Sequence, residues 1–219
     1  MRRTPLRLLI TAGPTREYLD PVRYLSNDSS GRMGFALAEA ARRRGWRVTL
    51  VHGPVALAAP AGVRAIPVVS AADMLAACQD CWPRQDALIM AAAVADYAPA
   101  QAAPTKLKKS PRGRVLRLEP TVDILATLAA DRRADQVVIG FALEDRAPRQ
   151  RAVEKLRRKR LDAIVLNRPE AIGAQRTAVE ILERGSGWQA LPTAAKSRQA
   201  QAIIALLARL HDRQAARTH

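Results

Sequence analysis

Leu6-Arg7-Leu8-Leu9-Ile10-Thr11, running straight into Ala12-Gly13-Pro14, reads as a short buried strand with a hard stop. An apolar run this brief, without alternation, suits a strand covered on both faces, and Gly-Pro ends it by bending the chain and removing a backbone donor. Gly34 to Arg44 then carries Phe35, Leu37, Ala38 and Ala41 at helical spacing. It finishes in Arg42, Arg43 and Arg44, which suit a helix C-terminus, and meets Gly45 as C-cap. Trp46 to Val51 is a second apolar run, stopped by Gly53-Pro54. Strand, helix, strand is the opening of a parallel sheet wound with helices.

The same alternation continues. Ala65 to Val69 reads as a third strand, followed by a helix from Ala71 to about Cys81 with Ser70 as N-cap. Ala87 to Ala93, Gln136 to Ala142 and Asp162 to Asn167 read as the fourth, fifth and sixth strands, with a strongly basic helix from about Ala147 to Arg160 between the last two. Val179–Leu182 and Trp188–Leu191 flank Gly185-Ser186-Gly187 as an edge hairpin. A helix starting near Thr193 and running to about His211 closes the chain, leaving residues 212–219 as an expected flexible tail. The expectation is one α/β domain over residues 1–219: a Rossmann-like, mostly parallel sheet with helices on both faces, an edge hairpin and a basic flap.

With 219 residues, 48% of them hydrophobic, the chain can bury one sizeable core. No apolar run approaches the roughly 20 residues needed to span a bilayer, and the stretch behind Arg2-Arg3 is too short for a signal peptide. A membrane role is therefore not expected. Cys78 and Cys81 form a Cys-x-x-Cys that lacks a second pair for zinc and closes a helix rather than opening one. Inert thiols in a reducing cytoplasm fit best. A net charge of +16 permits nucleic acid or phosphorylated small molecules. Aromatic residues at 4% leave few stacking platforms, and the arginines are spread from Arg2 to Arg217, which disfavours nucleic acid.

Two connections are too long for simple links. The first follows the opening strand and ends in Ser26-Asn27-Asp28-Ser29-Ser30-Gly31-Arg32-Met33-Gly34, rich in donors and directly before a helix. Free N–H groups and the helix dipole make that a natural phosphate site, although Ser29 or Ser30 could simply cap the helix. The second, a flap over residues 97–118, carries Pro99, Pro104 and Pro111 with Lys106, Lys108, Lys109, Arg112 and Arg114. An NAD(P)-dependent oxidoreductase is the obvious rival on such a sheet. Yet Gly13-Pro14-Thr15 replaces the Gly-x-Gly-x-x-Gly turn, and the second strand ends Val51-His52-Gly53 with no acidic ribose reader. A non-catalytic nucleotide- or nucleic-acid-binding protein of the same fold is the other alternative.

Three further segments add specificity: Ala91-Ala92-Ala93-Val94-Ala95-Asp96-Tyr97, Gly140-Phe141-Ala142-Leu143-Glu144, and Lys155-Leu156-Arg157-Arg158-Lys159, whose two lysines share a helix face. Together with the Gly13–Glu17 and Ser26–Gly34 segments, these resemble the bacterial phosphopantothenoylcysteine synthetase family, collinearly from Leu8 to about Leu210. The resemblance implies a cytoplasmic ligase of coenzyme A biosynthesis. It would activate 4′-phosphopantothenate with CTP and magnesium as an acyl-cytidylate, which cysteine then attacks. It implies Asn27 and Lys106 as catalytic residues, with Asn27 positioning the carboxylate and Lys106 closing over the intermediate. Ala91, Ala92, Ala93, Asp96, Lys106, Phe141, Lys155 and Lys159 would bind the nucleotide; Gly13, Ser29, Ser30 and Gly31 would bind phosphate or substrate. No metal ligands are implied. The family is typically dimeric, so a homodimer is expected. Many relatives carry a flavin-dependent decarboxylase domain ahead of this one. Here the first strand follows Met1 closely, so a stand-alone form without flavin, served by a separate decarboxylase, is the expectation.

The chain departs from the family pattern in places. Thr121-Val122 stands where Asn-Pro usually precedes the aspartate at Asp123, arginine replaces lysine at Arg32, and Glu144-Asp145 replaces Glu-Thr. An aromatic and an asparagine are replaced within Ala171–Thr177.

Overall fold

The computed structural model describes residues 4–168, 170 and 173–218. In chain order, β1 (Arg7–Ala12) is followed by a small hairpin, β2 (Arg16–Tyr18) and β3 (Tyr24–Ser26), then α1 (Arg32–Arg43), β4 (Arg47–His52), β5 (Arg64–Pro67), α2 (Ala71–Cys81) and β6 (Ala87–Met90). A second small pair, β7 (Tyr97–Pro99) and β8 (Leu118–Pro120), precedes α3 (Ile124–Ala130), β9 (Val137–Leu143), α4 (Pro148–Arg158), β10 (Ala163–Asn167), β11 (Arg176–Glu183), β12 (Trp188–Ala195) and α5 (Lys196–Thr218).

The central sheet runs β12-β11-β10-β9-β6-β1-β4-β5, parallel from β10 to β5, with the antiparallel hairpin β11–β12 on one edge. Strand β1 pairs on both sides, Ile10 lying opposite Leu50 of β4 and Ile89 of β6. Its residues alternate between two cores, as a doubly covered strand must. Leu8 and Ile10 join α1 and α5 on one face, while Leu9 joins α2, α3 and α4 on the other. The chain moves from β1 to β4 and β5, then returns across β1 to β6, so the order reverses between β1 and β6. A crevice is expected beyond the carboxyl ends of the strands at such a switch point.

Helix α2 begins as expected: Ser70 Oγ accepts from Asp73 N at 3.1 Å, and Asp73 Oδ2 accepts from Ser70 N at 2.9 Å. Other expectations are corrected. Neither Ser29 nor Ser30 caps α1; Gly31 does, in the left-handed region at φ 72 with no side-chain bond. Gly45 lies one residue past the cap Arg44, and Trp46 stays outside β4. The fourth strand stops at Met90, so Ala91–Ala93 form a loop joined to the first loop by a bridge between Pro14 and Ala93. Residues 212–218, expected as a flexible tail, continue α5, because Arg213-Gln214-Ala215-Ala216 are all good helix formers; His219 lies outside the described residues. Among the described residues no helix is long and apolar enough to cross a membrane. Cys78 and Cys81 are buried free thiols, both held in the neutral form by burial, with Cys78 pushed up to about 12.

Candidate functional site

A cleft of about 970 Å³ opens over the carboxyl ends of β6, β9 and β10. One wall is the donor-rich run from Asn27 to Gly34 leading into α1; the floor is Met90–Val94; the opposite wall is the start of α3 and one face of α4. Of the sequence-predicted residues it gathers Asn27, Ser29, Ser30, Gly31, Ala91, Ala92, Ala93, Asp96, Phe141, Lys155 and Lys159. Gly13 and Lys106 are not in its lining. Gly13 supports the wall from beneath: a Cβ on Gly31 would come within 3.3 Å of Gly13 Cα, so the two backbones touch. Lys106 is exposed on the flap.

Asn27 is held by its amide. Nδ2 donates to the carbonyls of Ala93 and Val94, both at 3.0 Å. Both amide hydrogens are thereby used against main-chain acceptors, and Oδ1 is the atom left to meet a ligand. The floor is fixed from below. Ala93 N donates to Gly13 O at 2.9 Å, Ala92 N to Thr11 Oγ1 at 3.2 Å, and Ala95 N to Thr15 Oγ1 at 2.9 Å. The two polar residues Thr11 and Thr15 are wholly buried to make these bonds.

The α4 lysines are set differently from each other. Lys155 Nζ donates to Phe141 O at 2.7 Å, while Lys159 Nζ meets the Asp123 carboxylate at 2.7 Å. Burial, helped by the charge of Lys159, pushes the Lys155 ammonium below its usual value of 10.5; Glu144, Asp123 and Asp96 pull the other way. A bound anion would offset the burial of the Lys155 ammonium. Phe141 packs partly against the α1–α5 core and partly lines the cleft, so it serves both roles.

Sequence reasoning left out several residues of the site. Asp123 caps the unforeseen helix α3, accepting from Ala126 N at 3.0 Å, and so couples α3 to Lys159. An aspartate followed by Ile124, Leu125 and Leu128 was the available signal. Thr121, one of the departures, donates from Oγ1 to Ala95 O at 2.6 Å and so ties the base of the flap to the floor. Arg32 and Lys196 line the end of the cleft beside the starts of α1 and α5. Ala171 and Ile172, part of the divergent stretch, lie outside the described residues.

The fold and this cleft define a Rossmann-like α/β protein with one large cleft, lined by Arg32, Arg151, Lys155, Arg158, Lys159 and Lys196 together with five carboxylates. Residues 4–210 match the family described as DNA/pantothenate metabolism flavoprotein C-terminal domain, and the chain belongs to it. It is 47% identical over 168 residues to the coenzyme A biosynthesis bifunctional protein CoaBC of Bacillus subtilis (strain 168), covering 76% of this chain and 41% of that protein. It is 42% identical over 207 residues to the protein so named from Vibrio cholerae, covering 92% and 52%. The chain thus spans about half the length of the curated relatives it matches. The crystal structure of the C-terminal domain of a CoaBC protein superposes with a TM-score of 0.80 at 40% identity, covering 92% of this chain and 93% of that one. The Cab2 mutant H337A in complex with phosphopantothenate-cysteine, at 18% identity and a TM-score of 0.82, shares the fold.

Proposed function

We propose that this chain joins 4′-phosphopantothenate to cysteine as a ligase of coenzyme A biosynthesis, with CTP as the activating nucleotide. The observation that carries the reading is Asn27, pinned to the cleft floor with only its amide oxygen uncommitted, in a chain that belongs to this family. The chemistry has two steps. A carboxylate oxygen of 4′-phosphopantothenate attacks the α-phosphorus of CTP, and pyrophosphate leaves. The cysteine amine then attacks the acyl carbon of this acyl-cytidylate; the C–O bond breaks, CMP departs and the amine loses a proton.

Such a reaction asks the protein to hold two anions at close quarters and to spread charge on the α-phosphate. The Ser29–Gly31 loop at the start of α1, Arg32, Lys155 and Lys159 supply that positive field. Asp96 and the Ala91–Ala93 backbone would meet the nucleoside. Magnesium would be carried mainly by the phosphates, since it needs few protein ligands. Asp28, Asp96 and Glu144 are carboxylates of the cleft that could join its shell, and among the described residues no three metal-ligating side chains are gathered. We also propose a cytoplasmic homodimer, for which the exposed Tyr18, Tyr24, Val22 and Tyr97 on the two small hairpins offer apolar surface.

The test is pyrophosphate release from purified protein with phosphopantothenate, magnesium and CTP or ATP, with and without cysteine. Release with neither nucleotide overturns the ligase. Lys106→Gln is expected to retain pyrophosphate release yet slow amide formation; unchanged turnover removes Lys106 from the mechanism.

A further inference from the structure

The Asp20 carboxylate is buried at 1% exposure, although it lies at the tip of a surface hairpin. Its two oxygens have separate tasks. Oδ1 accepts from Val22 N and Arg23 N, both at 2.8 Å, which closes the turn between β2 and β3. Oδ2 accepts from Arg23 Nε at 2.9 Å and from Leu107 N at 3.1 Å. Leu107 belongs to the flap, next to Lys106. The Arg23 guanidinium also donates to Leu107 O, so both polar groups of the Leu107 backbone are held by the hairpin tip. A third bond, from Ala103 N to Leu19 O at 2.8 Å, fastens the flap three residues before Lys106. Burial alone would raise the Asp20 carboxyl, but the Val22, Leu107 and Arg23 donors hold it far below the usual carboxylate range. It is ionised throughout the physiological range, when its bonds are strongest.

Among the described residues of the flap between β7 and β8, no regular structure holds Lys106 in place. Its position is set by bonds on either side of it, at Ala103 and Leu107. We propose that Asp20 is the positioning residue for Lys106: its Oδ2 latches the flap to the first loop, the same loop that carries Asn27. A single loop would then register the two groups assigned to the chemistry. This inference rests on the ligase reading for its catalytic consequence, but the latch itself does not.

Asp20→Asn separates the two tasks. The amide oxygen can still close the hairpin turn, whereas an NH2 group in place of Oδ2 cannot accept from Leu107 N or Arg23 Nε. Limited trypsin digestion well below the variant's melting temperature should cut it faster at Lys106, Lys108 and Lys109 but not at sites outside the flap, with far-UV circular dichroism close to wild type. The melting temperature itself should fall, because Leu107 N and Arg23 Nε lose a buried acceptor. In the coupled assay, pyrophosphate release and the KM for CTP should hold while amide formation falls on the order of 10- to 100-fold, the scale expected when a reacting group is misplaced by about 1 Å. Asp20→Asn combined with Lys106→Gln should be no slower than Lys106→Gln alone. Wild-type cleavage rates in the flap overturn the latch, and a full additional loss in the double variant overturns the positioning of Lys106. A wild-type protein that releases no pyrophosphate sinks the ligase instead, and the digestion still judges the latch.

Discussion

Gly34→Ala sets two physical effects against each other with opposite signs. Gly34 lies in the first turn of α1, where helix propensity alone predicts that alanine stabilises by up to about 1 kcal/mol. The packing predicts the reverse. A Cβ at this position would sit 2.4 Å from Ala12 Cβ, 3.1 Å from Ala12 Cα and 3.2 Å from Thr11 O. Carbon atoms rest at about 3.5–4.0 Å, so α1 must retreat from β1 by roughly 1.1 to 1.6 Å at this point. Neither neighbour can swing away, because both belong to β1, an interior strand bonded on both sides. Overpacking of this kind costs about 1–3 kcal/mol, and a rigid strand backbone places the cost at the upper end. The net loss is then on the order of 2 kcal/mol, a fall in Tm of roughly 4–8 °C for a chain of this size. Urea denaturation and thermal melts followed by circular dichroism measure it. Ala12→Gly in the same chain should recover most of the loss, less about 0.5–1 kcal/mol for a glycine inside a strand. The same retreat would shift the Ser29–Gly31 loop, so nucleotide affinity should fall as well. A Tm that rises in Gly34→Ala, or one that Ala12→Gly fails to restore, refutes the close approach of α1 to β1.

Three other expectations follow from single groups. Asp123→Asn keeps a competent helix cap while removing the charge beside Lys159, whereas Asp123→Ala removes both; the alanine variant should be the less stable by about 1 kcal/mol in urea titration, and equal stabilities would deny the cap a role. Because the Lys155 ammonium lies below 10.5, nucleotide affinity should weaken as pH rises through its folded value, and the unliganded protein should gain stability from this group over the interval from there up to 10.5; calorimetric titrations flat across the alkaline range, or matched by Lys155→Met, would dismiss it. Cys78 and Cys81 should resist iodoacetamide at about pH 8 in the folded protein and react in urea, since only the thiolate is nucleophilic; labelling of either in the native state would contradict the burial found for them.

What the sequence displayed well was whatever depends on local periodicity. The apolar runs at Leu8, Leu88, Val138 and Ile164 are continuous, and that at Val48 is broken only by Thr49, because each strand is covered on both faces; Ser70 with Asp73 marks the start of α2 within four residues. The small hairpin β2–β3 was invisible for the opposite reason. Its three-residue strands carry Arg16, Glu17 and Tyr24, whose pairing depends on tertiary partners: buried Glu17 accepts from Ala71 N at 2.8 Å, and Arg16 lies 4.4 Å from the Tyr24 ring centroid. Helix α3 spans only seven residues and is held by burial of Ile124, Leu125 and Leu128, with little helical pattern of its own. In the site, Asn27, Asp96 and the α4 lysines stood out through motif resemblance, and the cleft gathers them. Asp20 did not stand out. Asp-Pro reads as an ordinary turn, and its decisive partner, Leu107, is 87 residues away.

The sheet by itself would serve the proposed ligase or a dehydrogenase; what lies beyond β4 argues against the dehydrogenase. A dinucleotide fold leaves that space open, so that a carboxylate at the strand end can meet the adenosine ribose. Here β4 ends in His52, whose ring packs edge-on against Phe35 with centroids 5.4 Å apart and whose Nδ1 lies 2.9 Å from Gly53 O. The next residue, Gly53, is covered by the first loop: a Cβ there would fall 1.6 Å from Pro14 O. The Gly13-Pro14 turn thus closes over the end of β4, where a dinucleotide fold carries its ribose-reading carboxylate. No residue from Arg47 to Leu57 lines the cleft, which opens instead across the ends of β6, β9 and β10, under Lys155 and Lys159. A nucleotide entering it meets the α4 cations and the start of α3 on one side and the Asn27 loop on the other. That arrangement is what the ligase proposed above would need: a donor-rich loop and a cationic helix facing each other across one cleft.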